Sequence, residues 1–210
     1  MGLWVAWGFE LGFRDGHLTP GQFASKAKAA GYSWACLELD DYDNSERWGP
    51  FLHACHAEGL KAGPWFTEAG NITQTPGDAD FAIAELEGPG DYDGLINAIN
   101  TNALPACPKA VCTNFNHPIH PSNDPTEMAA ARAAATPLIA ANLVCLTESY
   151  LNENVNASPD NMNRSALSLG WATSQPVFGR YSVGGNPPPS YAQWAGWSGR
   201  SDYLAEYLAL

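Results

Sequence analysis

The sequence predicts an α/β protein folded as a single compact (β/α)8 TIM-like barrel that takes in residues 1–210. Three observations predict it. Short apolar runs alternate with helical stretches that often end on a glycine, the pattern of parallel strands joined by crossover helices. Seven or eight such units fill the chain with no linker, low-complexity segment or charge run between them, which suits the short end of the barrel size range. The G-x-G-x-x-G turn that marks the competing open, doubly wound sheet is missing after the first strand.

The strands are expected at 3–9, 33–39, 61–67, 81–87, 109–115, 143–149 and 177–181, with an eighth at 202–208 that reads equally as a terminal helix. Between the first two strands, Thr19-Pro20-Gly21-Gln22 is a capping box with proline at the first helical position, and Gly31 stops that helix. Ser45 caps a second helix that puts Trp48, Leu52 and Cys55 on one face before Gly59 ends it. A helix opening at Asp93 buries Leu95 and Ile99. Asp124-Pro125-Thr126-Glu127 is another capping box, opening an Ala-rich helix that Pro137 should kink or divide. Ser158-Pro159 opens the stretch that holds Leu167 and Leu169.

Bulk composition narrows the function. Hydrophobic residues make up 45% of the chain and charged ones 15%, which suits a packed globular core. The formal net charge of −12 repels phosphate backbones and anionic lipid, so neither nucleic acid nor membrane insertion is expected. The opening MGLWVAWGFE lacks a basic region and a long apolar stretch, so a secretory leader is not expected either. The five cysteines show no tight metal spacing. Cys36, Cys112 and Cys145 lie in apolar strand runs and Cys55 on a helix, where they read as small buried hydrophobes.

In a parallel barrel the working face is the C-terminal edge of the strands, so the last residues of each strand carry the chemistry. Alternation puts Trp34, Cys36, Glu38 and Asp40 on one face of the second strand, opposite Leu37 and Leu39. It groups Ile83, Glu85 and Glu87 on the fourth strand, Cys112, Asn114 and Asn116 on the fifth, and Val144, Leu146 and Glu148 on the sixth. The third strand ends in Trp65-Phe66-Thr67-Glu68 and the seventh in Arg180-Tyr181.

Several carboxylates at one mouth with few cations suit a division between a protonated acid and an ionised partner. Glycoside cleavage needs such a pair, and Glu87 with Glu148 is the pair this sequence favours. Glu85, one step deeper, is expected to pair with Arg180 or accept a hydrogen bond. Trp7, Trp65, Tyr150 and Tyr181 supply flat faces for sugar rings. Glu38, Asp40, Trp65, Glu85, Asn114 and Tyr181 are the expected substrate-binding set. No cofactor and no metal is expected.

Weaker constellations point elsewhere. His53 and His56 share a helix face at a spacing that can hold a metal, and His117 and His120 follow the fifth strand on the working side. Gly184-Gly185-Asn186 follows the seventh strand, where many barrels bind phosphate, but the scarcity of bases argues against an anionic ligand. Asn71-Ile72-Thr73 and Asn163-Arg164-Ser165 match glycosylation acceptors, which count only in a secreted chain.

At Glu38-Leu39-Asp40, Ala84-Glu85-Leu86-Glu87, Thr147-Glu148-Ser149 and Tyr203-Leu204-Ala205-Glu206-Tyr207 the chain resembles glycoside-hydrolase-like barrels, of the kind found in bacteriophage minor tail and other virion proteins. The resemblance implies a TIM barrel, a carbohydrate ligand such as a host cell-wall or surface glycan, and a place in the virion; without a phage origin the location is cytoplasmic. The chain departs from the best-known retaining pattern. Leu86, not asparagine, precedes Glu87, and the seventh strand ends in Arg180-Tyr181 where that pattern has a glutamate. The second acid must then come from the sixth or second strand. Two alternatives stand beside the carbohydrate reading. One is a non-catalytic structural or adhesive virion component, forming homo-oligomers or binding assembly partners. The other is a metal-dependent hydrolase built on His117 and His120.

Overall fold

In the computed structural model of the protein, the residues described are 2–5, 19–29, 32–39, 45–86, 88–113, 122–150, 166–172 and 174–179. Seven strands, β1 (Gly2–Val5), β2 (Trp34–Glu38), β3 (Lys61–Phe66), β4 (Ala82–Glu85), β5 (Lys109–Thr113), β6 (Val144–Tyr150) and β7 (Ser174–Gly179), form one sheet. Every neighbouring pair is parallel, and the spatial order β1 to β7 is the order of the chain. The helices are α1 (Pro20–Ala29), α2 (Ser45–Ala57), α3 (Pro89–Asn100) and α4 (Pro125–Ala140), with a short 3₁₀ helix, η1 (Ala69–Gln74), between β3 and β4.

Sequential order has a physical consequence. Right-handed crossovers that always step the same way leave every helix on one face of the sheet. The core divides accordingly. One large cluster joins Phe23 of α1, Phe51 of α2, Ile72 of η1, Leu95 of α3 and Leu138 of α4 to the strand residues Leu37, Ala84, Val111 and Cys145. Each fully buried Phe, Leu or Ile among them contributes roughly 1.5–3 kcal/mol relative to exposure. A second, small cluster holds Cys36, Ile83, Cys112 and Leu146, flanked by Trp34, Trp65, Phe81 and Ala110, and takes no residue from any helix. The alternation expected on β2, β4, β5 and β6 is therefore the one observed: Leu37, Ala84, Val111 and Cys145 meet the helices, and their neighbours meet one another.

The helix ends share one device. Leu60 N–H reaches Cys55 O (2.8 Å) and Gly59 N–H reaches His56 O (3.0 Å), the paired bonds of a Schellman motif. The same pair recurs at Ala103 and Asn102 after α3, at Leu143 and Asn142 after α4, and at Trp171 and Gly170 after the helical turn 166–169. The turning residue has positive φ in each case: Gly59 at 68°, Asn102 at 52°, Asn142 at 59° and Gly170 at 110°. Each device closes a helix and re-aims the chain at the sheet.

Three expectations need correction. α3 opens at Pro89, not Asp93: Gly88 is the N-cap, Pro89 takes the first helical position, and the Asp91 side chain accepts Gly88 N–H at 3.0 Å. Pro137 does not divide α4, which runs unbroken to Ala140. A proline near a helix C-terminus removes one hydrogen bond, and buried Ala135 and Leu138 hold that turn to the core. β7 begins at Ser174 with Pro176 inside it, in register with Thr147; a strand tolerates proline where its nitrogen does not face a partner. The eighth candidate strand, 202–208, and the region of Ser158-Pro159 lie outside the described residues. Cys36, Cys55, Cys112 and Cys145 are buried thiols outside any disulfide, while Cys107 is half-buried. Among the described residues no helix is long and apolar enough to cross a membrane.

Candidate functional site

Of the predicted site residues, Glu38, Trp65, Glu85 and Glu148 fall in described strands, and the strand register fixes where their backbones lie. Glu38 closes β2 directly beside Trp65 of β3, and the pairing continues as Leu39 N–H donates to Trp65 O at 3.0 Å. Trp65 is in turn the partner of Ile83 on β4. Two residues beyond Ile83 on the same strand, Glu85 is the partner of Cys112, which neighbours Leu146 on β6. Glu38, Trp65 and Glu85 thus lie on adjoining strands near one edge, above the small cluster of Cys36, Ile83, Cys112 and Leu146.

Their exposure differs in a way that matters. Glu38 and Trp65 are half-buried, open to a ligand approaching the edge. Glu85 is 3% exposed, and it is the one buried polar or charged residue among those described. A carboxyl at this depth needs satisfied hydrogen bonds or a charged partner, because an unpaired buried charge costs several kcal/mol. Glu148 lies on β6 two residues beyond Leu146, its backbone in register with Val177. Asp40, Glu87, Asn114, Arg180 and Tyr181 lie outside the described residues, as do Trp7, His117, His120 and the 184–186 loop.

Below these residues the inner face is floored by aromatics. The rings of Trp34 and Phe81 meet edge to face, 5.3 Å between centroids and 77° between planes. Gly63 makes room for them: a Cβ there would meet the Cδ2 and Cε2 atoms of Phe81 and lie 2.6 Å from its carbonyl oxygen. The expected strand set does not single out this floor, although a glycine inside a strand is the usual mark of a close approach.

The histidines of α2 have a different part from the one that their spacing suggests. His56 Nε2–H donates to Asp80 Oδ2 (2.8 Å), a residue just ahead of β4, and His53 stays exposed. Among the described residues no group of three side chains is placed to hold a metal. Partial burial pushes the Asp80 carboxyl up. Hydrogen bonds from Ala62 N–H and His56, with the charges of His56 and Lys61, outweigh that and hold it below the ordinary aspartate value. Next to it, burial pushes the Cys55 thiol up to about 12, with the Asp80 charge adding to the effect.

No family model matches the sequence, and no curated protein matches it. Among solved structures, the chain is similar to D-psicose 3-epimerase with D-tagatose from Clostridium cellulolyticum H10, at 10% identity and a TM-score of 0.38. That likeness covers 85% of this chain but 63% of the epimerase, so the chain spans less than two thirds of that enzyme's length. It is also similar to a truncated 3-deoxy-D-arabino-heptulosonate 7-phosphate synthase from Thermotoga maritima, at 10% identity and a TM-score of 0.44, covering 99% of this chain and 88% of that one. A third likeness is to a short-chain dehydrogenase from Oenococcus oeni PSU-1, at 12% identity and a TM-score of 0.31, covering 85% and 95%. What stands on the chain's own geometry is a parallel α/β sheet in sequential order, covered by helices on one face, with two glutamates and a tryptophan near its C-terminal edge.

Proposed function

We propose that the sheet closes into a single (β/α)8 barrel over residues 1–210 and that its C-terminal mouth binds a carbohydrate, in the manner of a glycoside hydrolase. The observation that carries this reading is Glu85, a buried carboxyl above the small apolar cluster, one strand from half-buried Trp65 and two from half-buried Glu38. Apolar floor, aromatic face and convergent carboxyls together form the kind of surface on which a sugar ring stacks and its hydroxyls find acceptors. In this reading Glu38, Asp40, Glu85, Asn114 and Tyr181 bind hydroxyls and Trp65 is the platform. Glu87 protonates the leaving oxygen, and Glu148 attacks the sugar or activates water. The resemblance to phage virion barrels makes a host cell-wall or surface glycan the natural ligand.

The test incubates the chain with a panel of bacterial cell-wall polysaccharides, reading reducing ends alongside tryptophan fluorescence. Release by the wild type, with loss of activity of 10²-fold or more in the Glu87→Gln/Glu148→Gln variant, supports the hydrolase, since acid–base groups contribute about that much. Saturable quenching without release, abolished by Trp65→Ala, leaves a binding barrel without turnover. Neither signal from any polysaccharide would overturn the carbohydrate reading and leave the structural or adhesive virion component standing.

A further inference from the structure

The segment between η1 and β4, residues 75–81, has no helix of its own, and its side-chain hydrogen bonds to α2 and β3 are concentrated on two aspartates. Asp78 Oδ1 accepts Trp48 Nε1–H of α2 at 2.9 Å. Asp80 Oδ2 accepts both His56 Nε2–H of α2 and Ala62 N–H of β3, each at 2.8 Å. The main-chain bond to β3 is Asp80 N–H to Ala62 O (2.9 Å), and within the segment Ala79 N–H turns back to Pro76 O. None of residues 75–81 is fully buried, and Gly77 and Asp78 are exposed. Trp48, by contrast, is 5% exposed and belongs to the large core cluster.

We propose that residues 75–80 form an acid-released strap, which lets go of α2 and the start of β3 when Asp80 is protonated while the rest of the sheet stays folded. Ionised, a carboxylate accepts several hydrogen bonds at once and attracts a charged donor; protonated, it loses the charge and one acceptor direction. The groups that face Asp80 are His56 on α2 and Lys61 on β3, with the Cys55 thiol of α2 nearby, so nothing anionic replaces it when it is neutralised. The sign follows from the depressed carboxyl. The strap is fully held above the titration of an unfolded-chain aspartate, about pH 3.9, and loses its hold as pH falls through the lower folded value. Ala79 touches the large core cluster and Phe81 packs against Gly63 and Trp34, so the opening runs over residues 75–80 and stops at Phe81.

Amide hydrogen exchange at pH 6 and pH 3, corrected for intrinsic rates, tests this on the whole chain. The expected result is a several-fold fall in protection of Ala62 and of residues 77–80, at most about ninefold at pH 3, with residues 95–100 of α3 unchanged as the internal reference. The Asp78→Asn/Asp80→Asn variant, which keeps oxygen acceptors but cannot ionise, should show the lower protection at both pH values. Equal loss in the strap and α3, no change in the wild-type strap, or wild-type pH dependence in the variant would each overturn the proposal. The wild-type comparison decides by itself should the variant fail to fold.

Discussion

Gly63 is the residue whose missing side chain shapes the inner face, because the ring of Phe81 fills the space beside it and packs edge-on against Trp34. Gly63→Ala would gain backbone rigidity worth less than about 1 kcal/mol. Against that stands a methyl group pressed on both the ring and the main chain of Phe81. Backbone cannot swing away, so overpacking of roughly 1–3 kcal/mol wins. The expected outcome in urea denaturation is a lower midpoint with an unchanged slope. The thiols make a second prediction at this scale. Burial pushes Cys55 and Cys145 up to about 12, so neither supplies thiolate near neutrality. Half-buried Cys107 is accessible, although burial raises its thiol too. Iodoacetamide on native protein, read by mass spectrometry, should label Cys107 well ahead of Cys55 and Cys145. The apolar neighbours of the cysteines made their burial legible in the sequence. The bond between His56 and Asp80 was not legible, because nothing local joins residues 24 positions apart.

Elements were legible where the chain uses ordinary punctuation. Thr19 and Gln22 form the capping box that their spacing announces, whereas at α4 only the Asp124 half forms: its carboxylate accepts Thr126 and Glu127 N–H, while Glu127 takes the Ser122 hydroxyl and Asp124 N–H donates to Ser122 Oγ. Gly59 ends α2 as a glycine should. Asparagine in the same role hides the ends of α3 and α4, since Asn is also an ordinary loop residue. The expectation that α3 starts at Asp93 failed because Gly88-Pro89-Gly90-Asp91 carries no strong side-chain cap; the start is set by Pro89 and by Asp91 reaching back to Gly88. Asn142→Ala should cost about 1 kcal/mol, the penalty for a methyl side chain at positive φ, while Asn142→Gly should be near neutral in thermal melts. A parallel case is Gly94 in α3, where an added Cβ would lie 3.1 Å from Gly70 Cα and 3.2 Å from Gly70 N in η1. Alanine there gains helix propensity of up to about 1 kcal/mol, which offsets a small shift of η1. Valine gains less propensity and asks for more room, so Gly94→Val is expected to destabilise by roughly 1–3 kcal/mol while Gly94→Ala stays close to wild type.

At the scale of the molecule, sequential strand order decides more than any single contact. The inner face carries Trp34, Cys36, Ile83, Cys112 and Leu146, all apolar and none packed on a helix. An open sheet with helices on one side would leave that face to water, at roughly 25 cal/mol for each Å² exposed. Curling the sheet until its edges meet covers the face with itself and removes both edges. That is the physical case for closure, and it predicts a distance. Laid open, the seven strands put β1 and β7 about 29 Å apart across six gaps of about 4.8 Å. Closed through one more strand, they stand about 10 Å apart. Spin labels on β1 and β7, read by pulsed dipolar spectroscopy or line broadening, separate the two values easily. A short distance would establish the barrel and bring the β6 end that carries Glu148 round toward the Glu38, Trp65 and Glu85 edge, as a shared binding mouth requires. A distance near 29 Å would leave the carboxyls strung along an open edge, and no ring-shaped site could then be built from them.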